Sequence, residues 1–201
     1  TQLESSPLGQ QYTLQHRGVE VGRVVLFVPG KYNVLNSLAA ASVALEREIP
    51  FAAVGAGLAA YRGARRRFEV SESRSGFVVD DYAHHPTEIA AVISGARQRF
   101  PQRRLVAAFQ PHTYTRTKAF VREFAQALSL ADEVLVTEIF GSAREKSGGF
   151  HASAIVEALP ANKGRFVTMD EVDRIGQEAL AAGAVVLLLG AGDIYTVKRR
   201  W

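Results

Sequence analysis

The sequence predicts an α/β protein with a mostly parallel sheet and flanking helices. Three observations carry this. Beyond about residue 63, short β-branched runs alternate with stretches of helical period, which is the pattern of βαβ units. The run Ala184-Val185-Val186-Leu187-Leu188-Leu189 is apolar at every position, as a strand buried on both faces requires. Polar, residue-specific loops follow several of the expected strands, where open α/β sheets bind ligands.

Along the chain, residues 11–28 form two β-branched runs punctuated by Gly18 and Gly22, a hairpin or short meander closed by Pro29-Gly30. In NVLNSLAAASVALERE, Val34, Leu35, Leu38, Ala41 and Leu45 fall near helical spacing, with Asn33 as the expected N-cap. Pro50 opens a second helix, FAAVGAGLAAY. About 60 residues of this kind bury little core, which points to a truncated domain covering residues 1–62. The polar, arginine-rich segment RGARRRFEVSESRSG marks the boundary, and residues 63–201 form the second domain. There, strand GFVVDDY leads to helix PTEIAAVISGARQRF, and strand RLVAAFQP to helix TKAFVREFAQALSL. Strand EVLVTEIF leads through the loop GSAREKSGG to helix HASAIVEAL, and strand RFVTM to helix EVDRIGQEALAA. Strand AVVLLLG ends in GAGD and a last helical piece.

Composition bounds the function. The 201 residues are 47% hydrophobic and 22% charged with a net charge of +4, an ordinary globular balance that excludes disordered and collagen-like chains. The absence of cysteine excludes a disulfide scaffold, a thiolate zinc site and a cysteine nucleophile. No apolar run reaches the ~18 residues of a membrane span, and TQLESSPLGQQ lacks the basic and apolar regions of a secretory signal. Basic residues cluster at Arg62–Arg67, Arg103–Arg104 and Lys198–Arg200 without interleaved aromatics, which favours a small anionic ligand over nucleic acid. No G-x-x-x-x-G-K-[ST] loop and no G-x-S-x-G elbow occurs, so a stand-alone nucleotide hydrolase is disfavoured.

The candidate residues lie after the strands. Asp81, His84 and His85, with Glu88 and His112 able to converge, can be read as a metal or acid/base site; in the plainer reading one histidine caps the helix at Pro86 and the other is a surface group, and in a third the imidazoles contact substrate oxygens. Arg116 sits at the start of a helix, where a guanidinium adds to the field of the amides and binds carboxylate or phosphate in two-pronged fashion; a surface arginine is the plain alternative. Of Arg65–Arg67, at most one or two can face a site. The Gly190-Ala191-Gly192-Asp193 turn can bring backbone amides to a ligand or simply allow close packing.

Taken in order, VPGKYNVLNSLAAASVAL, RRRFE, DDYAHHPTEI, FQPHTYTRT, EIFGSARE and GAGDI resemble the Mur ligases, and most closely the alanine-adding members of that family. The resemblance implies a Rossmann-like closing domain preceded by a fragment of an α/β ATPase-type central domain. It implies ATP-dependent amide-bond formation in peptidoglycan synthesis: L-alanine joins the carboxylate of UDP-N-acetylmuramate through an acyl phosphate. ATP and Mg2+ are the implied cofactors, the main magnesium ligands lying upstream of residue 1, as does the phosphate-binding loop; the metal ligands within this chain are none. The chain alone is then inactive and works with the missing N-terminal and central regions in a bacterial cytoplasm, with no nucleic-acid or membrane partner.

By motif, Asn33 and Asn36 match the pair that contacts adenine, Arg67 the arginine that reaches the ATP phosphates, and Asp81 the ribose contact. Tyr82, His84 and Arg116 match the amino-acid and acyl-phosphate end, with Arg116 holding the alanine carboxylate and His84 assisting; His85 and His112 are weaker candidates. Three positions depart from the common pattern: Tyr32 stands where a histidine is usual, Thr113 where many members have arginine, and FGSARE where others have a Tyr-Pro version. Another peptide-adding member of the family and a non-catalytic nucleotide-binding module are the alternatives.

Overall fold

The computed structural model describes residues 3–6, 9–141 and 148–201. The chain divides into two compact units, Thr1–Gly63 with Gly95–Pro101, and Ala64–Ser94 with Gln102–Trp201.

Among the described residues, the first unit holds an antiparallel three-stranded sheet in the order β1 (Leu3–Ser6), β2 (Gly9–His16), β3 (Val19–Leu26). The β2–β3 register shifts between Leu14 and Gln15. Helices α1 (Lys31–Glu46) and α2 (Phe51–Ala60) follow. Alternate residues Tyr12 and Leu14 of β2 and Val24 and Leu26 of β3 turn to one face and pack with Val34, Ala41 and Val54 of the helices. One buried polar link joins sheet to helix: Tyr12 Oη and Ser37 Oγ lie 2.7 Å apart, while Ser37 Oγ also donates to Val34 O at 2.7 Å. Burial pushes the Tyr12 phenol up despite that bond. The expected N-cap is displaced. Gly30, at φ 94°, precedes the first helical residue, and Asn33 lies inside the first turn, its Nδ2 donating to Pro29 O at 2.7 Å. The backbone there takes a positive φ that suits glycine, so the helix starts earlier than the asparagine signal indicates. Strand β1 carries no sequence signal, because LESS alternates no apolar face; all four of its residues are exposed.

Among the described residues, the second unit is a six-stranded sheet in the order β4-β5-β9-β6-β7-β8. These strands are β4 (Glu69–Ser73), β5 (Gly76–Asp81), β6 (Leu105–Phe109), β7 (Glu133–Val136), β8 (Gly164–Phe166) and β9 (Val185–Leu189). All neighbours are parallel except β4 and β5, as the alternation of strands and helices predicts. The helices that follow in the chain are α3 (Pro86–Arg99), of which the residues up to Ser94 belong to this unit, α4 (Tyr114–Ala119), α5 (Val121–Leu128), α6 (Ser153–Glu157) and α7 (Met169–Ala181), with the 3-10 turn Ile194–Arg200 after them. Two readings change. The polar segment taken as a boundary contains β4, an edge strand whose sequence EVSES offers no hydrophobic alternation. The single helix expected after β6 breaks at Phe120 (φ −119°, ψ 26°) into α4 and α5.

Strand β9 enters last but lies centrally, between β5 and β6. Its five residues are fully buried. Val186 and Leu188 join Val172, Ile175, Ala179 and Leu180 of α7 in one core, and the pleat sends Val185, Leu187 and Leu189 to the opposite face. Full burial of each such side chain contributes about 1.5–3 kcal/mol. The central entry of β9 makes the chain order reverse beside it, and the carboxyl ends of β5, β9 and β6 surround that switch point.

Helix α7 is fixed at its start by a capping box. Thr168 Oγ1 accepts from Glu171 N at 3.2 Å, and Glu171 Oε2 accepts from Thr168 N at 2.7 Å. The Thr168 amide holds the Glu171 carboxyl below its ordinary value of 4.5. A depressed folded value means this contribution is present above pH 4.5 and is lost as the pH falls through the folded value. Glu171→Gln keeps the shape and removes the charge. Its melting temperature is therefore expected below wild type at neutral pH, with the gap closing in acid; a gap that widens in acid contradicts the assignment. Gly76 opens β5 where a Cβ would meet Ala184 O at 2.3 Å and Leu180 Cα at 3.0 Å. Because backbone cannot yield cheaply, Gly76→Ala is expected to cost about 1–3 kcal/mol in chemical unfolding.

Candidate functional site

Strand β5 ends in two aspartates whose side chains turn to opposite faces. Both are buried, and they are stabilised differently. Asp81 is held by amides: Oδ2 accepts from Phe68 N and Oδ1 from Ala83 N, each at 2.7 Å. Burial nevertheless pushes its carboxyl up, against those two bonds and the charge of Arg67. Asp80 is held by cations. Lys198 Nζ lies 2.8 Å from Oδ2 and Arg66 Nε 3.5 Å from Oδ1, both as charge contacts rather than directed hydrogen bonds. Removing one partner from a buried pair costs about 3–5 kcal/mol, so the last turn of the chain and the segment before β4 are both tied to the end of β5.

That segment is a strained turn. Arg66 (φ 55°) and Phe68 (φ 52°) are both left-handed non-glycine residues, at a cost on the order of 1 kcal/mol each. Each amide is clamped by a carboxylate: Arg66 N donates to Glu69 Oε2 at 3.0 Å, and Phe68 N to Asp81. The Arg66 amide, with Lys198 beside it, holds the Glu69 carboxyl below its usual range. Arg67 lies between the two and is exposed, its guanidinium 5.6 Å from the Tyr82 ring.

After β5, Glu88 Oε2 accepts from His84 N at 3.0 Å and His85 N at 3.2 Å, organising the entry to α3. His85 Nδ1 accepts from Thr87 N at 3.3 Å, and its ring meets Phe120 at 5.2 Å, so this histidine serves the helix start. His84 Nδ1 lies 3.0 Å from Tyr82 O. A carbonyl can only accept, which places a proton on Nδ1 and leaves Nε2 as the second functional nitrogen. A row of rings crosses the rim: Tyr82 to His84 at 5.4 Å, His84 to His112 at 6.3 Å, and His112 stacked on Phe140 at 6.0 Å. Tyr82 and Phe140 at its ends are 37% and 40% exposed, so the row is presented to solvent. Among the described residues no three His, Asp or Glu side chains are placed to share a metal ion, so the metal reading of Asp81, His84, Glu88 and His112 has no geometric support; Glu88 is engaged with the two amides.

Arg116 projects from α4 after β6. Its Nη1 is buried and has no hydrogen-bond partner among the described residues. An unsatisfied buried donor costs about 1–3 kcal/mol, more when charged. The loop carrying it is fixed by its neighbours. Phe140 N donates to Pro111 O at 2.8 Å and Thr113 N to Phe140 O at 3.3 Å, and Thr113 sits at φ 68°, a conformation strained for threonine. Gln110 is buried beneath this loop, donating to Asp193 Oδ1 at 2.7 Å and accepting from Ile194 N at 3.0 Å.

The glycine turn after β9 is correspondingly full. A Cβ on Gly190 would lie 2.6 Å from Gln110 O, and one on Gly192 would lie 2.2 Å from Gln110 Oε1 and 2.7 Å from the Phe140 ring. On its Cβ side the turn is packed: the glycines admit the protein's own Gln110 and Phe140. Sequence reasoning missed Arg66, Asp80, Lys198, Gln110 and Phe140. The doubled aspartate and the middle arginine of Arg65–Arg67 were visible signals; the roles of Gln110 and Phe140 depend on loops brought together by the sheet.

In the first unit, Asn33 and Asn36 line a cavity of about 260 Å³ with Leu26, Val28, Leu58 and Tyr61. That lies below the roughly 300–1,000 Å³ of drug-sized pockets and suits a single ring system. Tyr32 is half-buried, its ring 2.6 Å from where a Cβ on Gly30 would stand. Of the loop expected after β7, Ser142–Glu145 lie outside the described residues.

Known proteins match this arrangement. The family model described as "Mur ligase, glutamate ligase domain" matches residues 66–192. The UDP-N-acetylmuramate–L-alanine ligase of Pediococcus pentosaceus is 40% identical over 96% of this chain and 44% of its own length. That of Desulfitobacterium hafniense is 40% identical over 98% of this chain and 45% of its own. The crystal structure of the Thermotoga maritima UDP-N-acetylmuramate–alanine ligase superposes with a TM-score of 0.82 at 31% identity, over 99% of this chain and 43% of that one. The chain thus spans less than half the length of the relatives it matches. With a model covering more than half of its residues and relatives similar along nearly all of them, the chain belongs to the Mur ligase family.

Proposed function

We propose that this chain is the C-terminal portion of an ATP-dependent ligase that joins L-alanine to the carboxylate of UDP-N-acetylmuramate in bacterial peptidoglycan synthesis. In this reading, residues 1–62 are the end of the central ATP-binding domain and residues 63–201 the closing domain. The supporting observation is the buried Arg116 Nη1, a charged donor without a partner among the described residues, on a rim that also carries Tyr82, His84 and His112. Relatives named for this reaction support the same assignment.

The chemistry assigned to the site has two steps. A muramate carboxylate oxygen attacks the γ-phosphorus of ATP, the bond to the β-phosphate oxygen breaks, and ADP leaves. The alanine amine then attacks the acyl carbon, phosphate leaves, and the nitrogen loses a proton. Within this scheme Arg116 pairs with the alanine carboxylate through Nη1, which has no partner among the described residues. His84, with Nδ1 committed to Tyr82 O, has Nε2 available to accept the amine proton. Arg67 meets the phosphates, and Asp81 accepts from the ribose hydroxyls through the lone pairs its two amide bonds leave. Asn33 and Asn36 read the donor and acceptor edge of adenine in their cavity. His112 lines the row of rings; His85, engaged with Thr87, contributes by fixing the start of α3. Magnesium would neutralise charge on the phosphates. Its ligands are assigned to the part of the protein beyond this chain, and the residues here bind and orient around it. Exclusion of water protects the acyl phosphate from hydrolysis.

In the full-length protein, Arg116→Ala is expected to raise KM for L-alanine by about tenfold or more while moving KM for ATP less. An unchanged alanine KM removes the assignment. Arg67→Lys replaces a planar fork by a point charge and is expected to weaken ATP saturation in steady-state kinetics. The sequence has no G-x-x-x-x-G-K-[ST] pattern, and in this reading the phosphate-binding loop belongs to the rest of the ligase, so calorimetry on the 201-residue chain is expected to show no micromolar ATP binding.

A further inference from the structure

The turn that presents Arg67 is held by Arg66, whose side chain reaches the exit of β9. Arg66 is only 18% exposed. Its Nη2 donates to Gly190 O at 2.6 Å, its Nε faces Asp80, and its guanidinium carbon lies 4.2 Å from the centre of the Tyr195 ring and 5.0 Å from that of Tyr82. The two ring distances are within cation–π range. The Arg66 carbonyl accepts from Tyr82 N at 3.0 Å. One side chain therefore gathers the end of β5, the exit of β9 and the terminal 3-10 turn. Tyr82, fixed by Arg66 at ring and backbone, is also the ring over which Arg67 lies at 5.6 Å.

We propose that Arg66 is a positioning residue that aims the Arg67 guanidinium. The proposal rests on the reading that Arg67 meets nucleotide phosphates. Its logic is geometric. Residues 66 and 68 are left-handed, so the direction of the side chain between them is set by the turn. The amides of the turn are clamped by Glu69 and Asp81, but its lateral anchor on Gly190 and Tyr195 is the Arg66 side chain. A planar cation fits this place because it stacks on rings and donates in its own plane at once; lysine can keep the charge beside Asp80 and lose the rest.

A double-mutant cycle in the full-length ligase tests it, using Arg66→Met, Arg67→Ala and the pair, read as KM for ATP and kcat. Arg66→Met is expected to raise the ATP KM about tenfold, with a smaller change in kcat. In the Arg67→Ala background the same substitution is expected to move the ATP KM by less than about twofold, because its route of action is gone. A tenfold effect repeated in that background overturns the proposal, as does a wild-type ATP KM in Arg66→Met when Arg67→Ala is impaired. A wild-type ATP KM in Arg67→Ala alone removes the phosphate assignment, and the proposal with it. If Arg66→Met does not fold, Arg66→Lys is read through the same cycle with the same criteria.

Discussion

A carboxylate shut away from water must be met by cations or by N–H groups, and β5 delivers two such carboxylates side by side. Asp80 recruits Lys198 and Arg66; Asp81 recruits the amides of Phe68 and Ala83. These demands fix where the chain enters the second unit, where it leaves β5 and where its last turn docks. The buried charges thus set the positions of the exposed groups around them. Arg67, Tyr82 and His84 are each within two residues of a group that answers one of the two aspartates.

The second organising fact is the central place of β9. Its late entry between β5 and β6 brings three carboxyl ends together and makes the Gly190–Asp193 turn a neighbour of Gln110 and Phe140. Gln110 bonds across to Asp193 and Ile194, and Phe140 bonds to both sides of the loop at Pro111 and Thr113. Arg116 is presented from that braced loop. The rim is braced there, and among the described residues the buried Nη1 of Arg116 has no hydrogen-bond partner, which is a cost to the fold.

Most of the sheet was legible because its signals are local. The VVLLL run, the alternation of strands with helices and the polar loops needed only neighbouring residues to be read. The two strands that escaped, LESS and EVSES, are edge strands without an apolar face, so they carry no periodic signal. Asn33 looked like a cap but sits within the first turn, since a positive φ at Gly30 starts the helix before it. The site divides in the same way. DDYAHHPTEI and FQPHTYTRT could be recognised as strings, whereas the partners of Asp80 lie far away in sequence, at Arg66 and Lys198, and only the fold joins them. The lone glycine motif leaves two readings open for a physical reason. The space that glycine leaves is the same whether a ligand or a neighbouring side chain fills it, and here Gln110 and Phe140 do.

If the cations on this rim are held in place to receive anions, a crystal structure of the full-length protein with a non-hydrolysable ATP analogue and L-alanine will show it. A carboxylate oxygen is expected within hydrogen-bond distance of Arg116 Nη1 and phosphate oxygens on Arg67, with Arg66 still on Gly190 and Tyr195. Both ligands bound while Arg116 and Arg67 touch neither would contradict it.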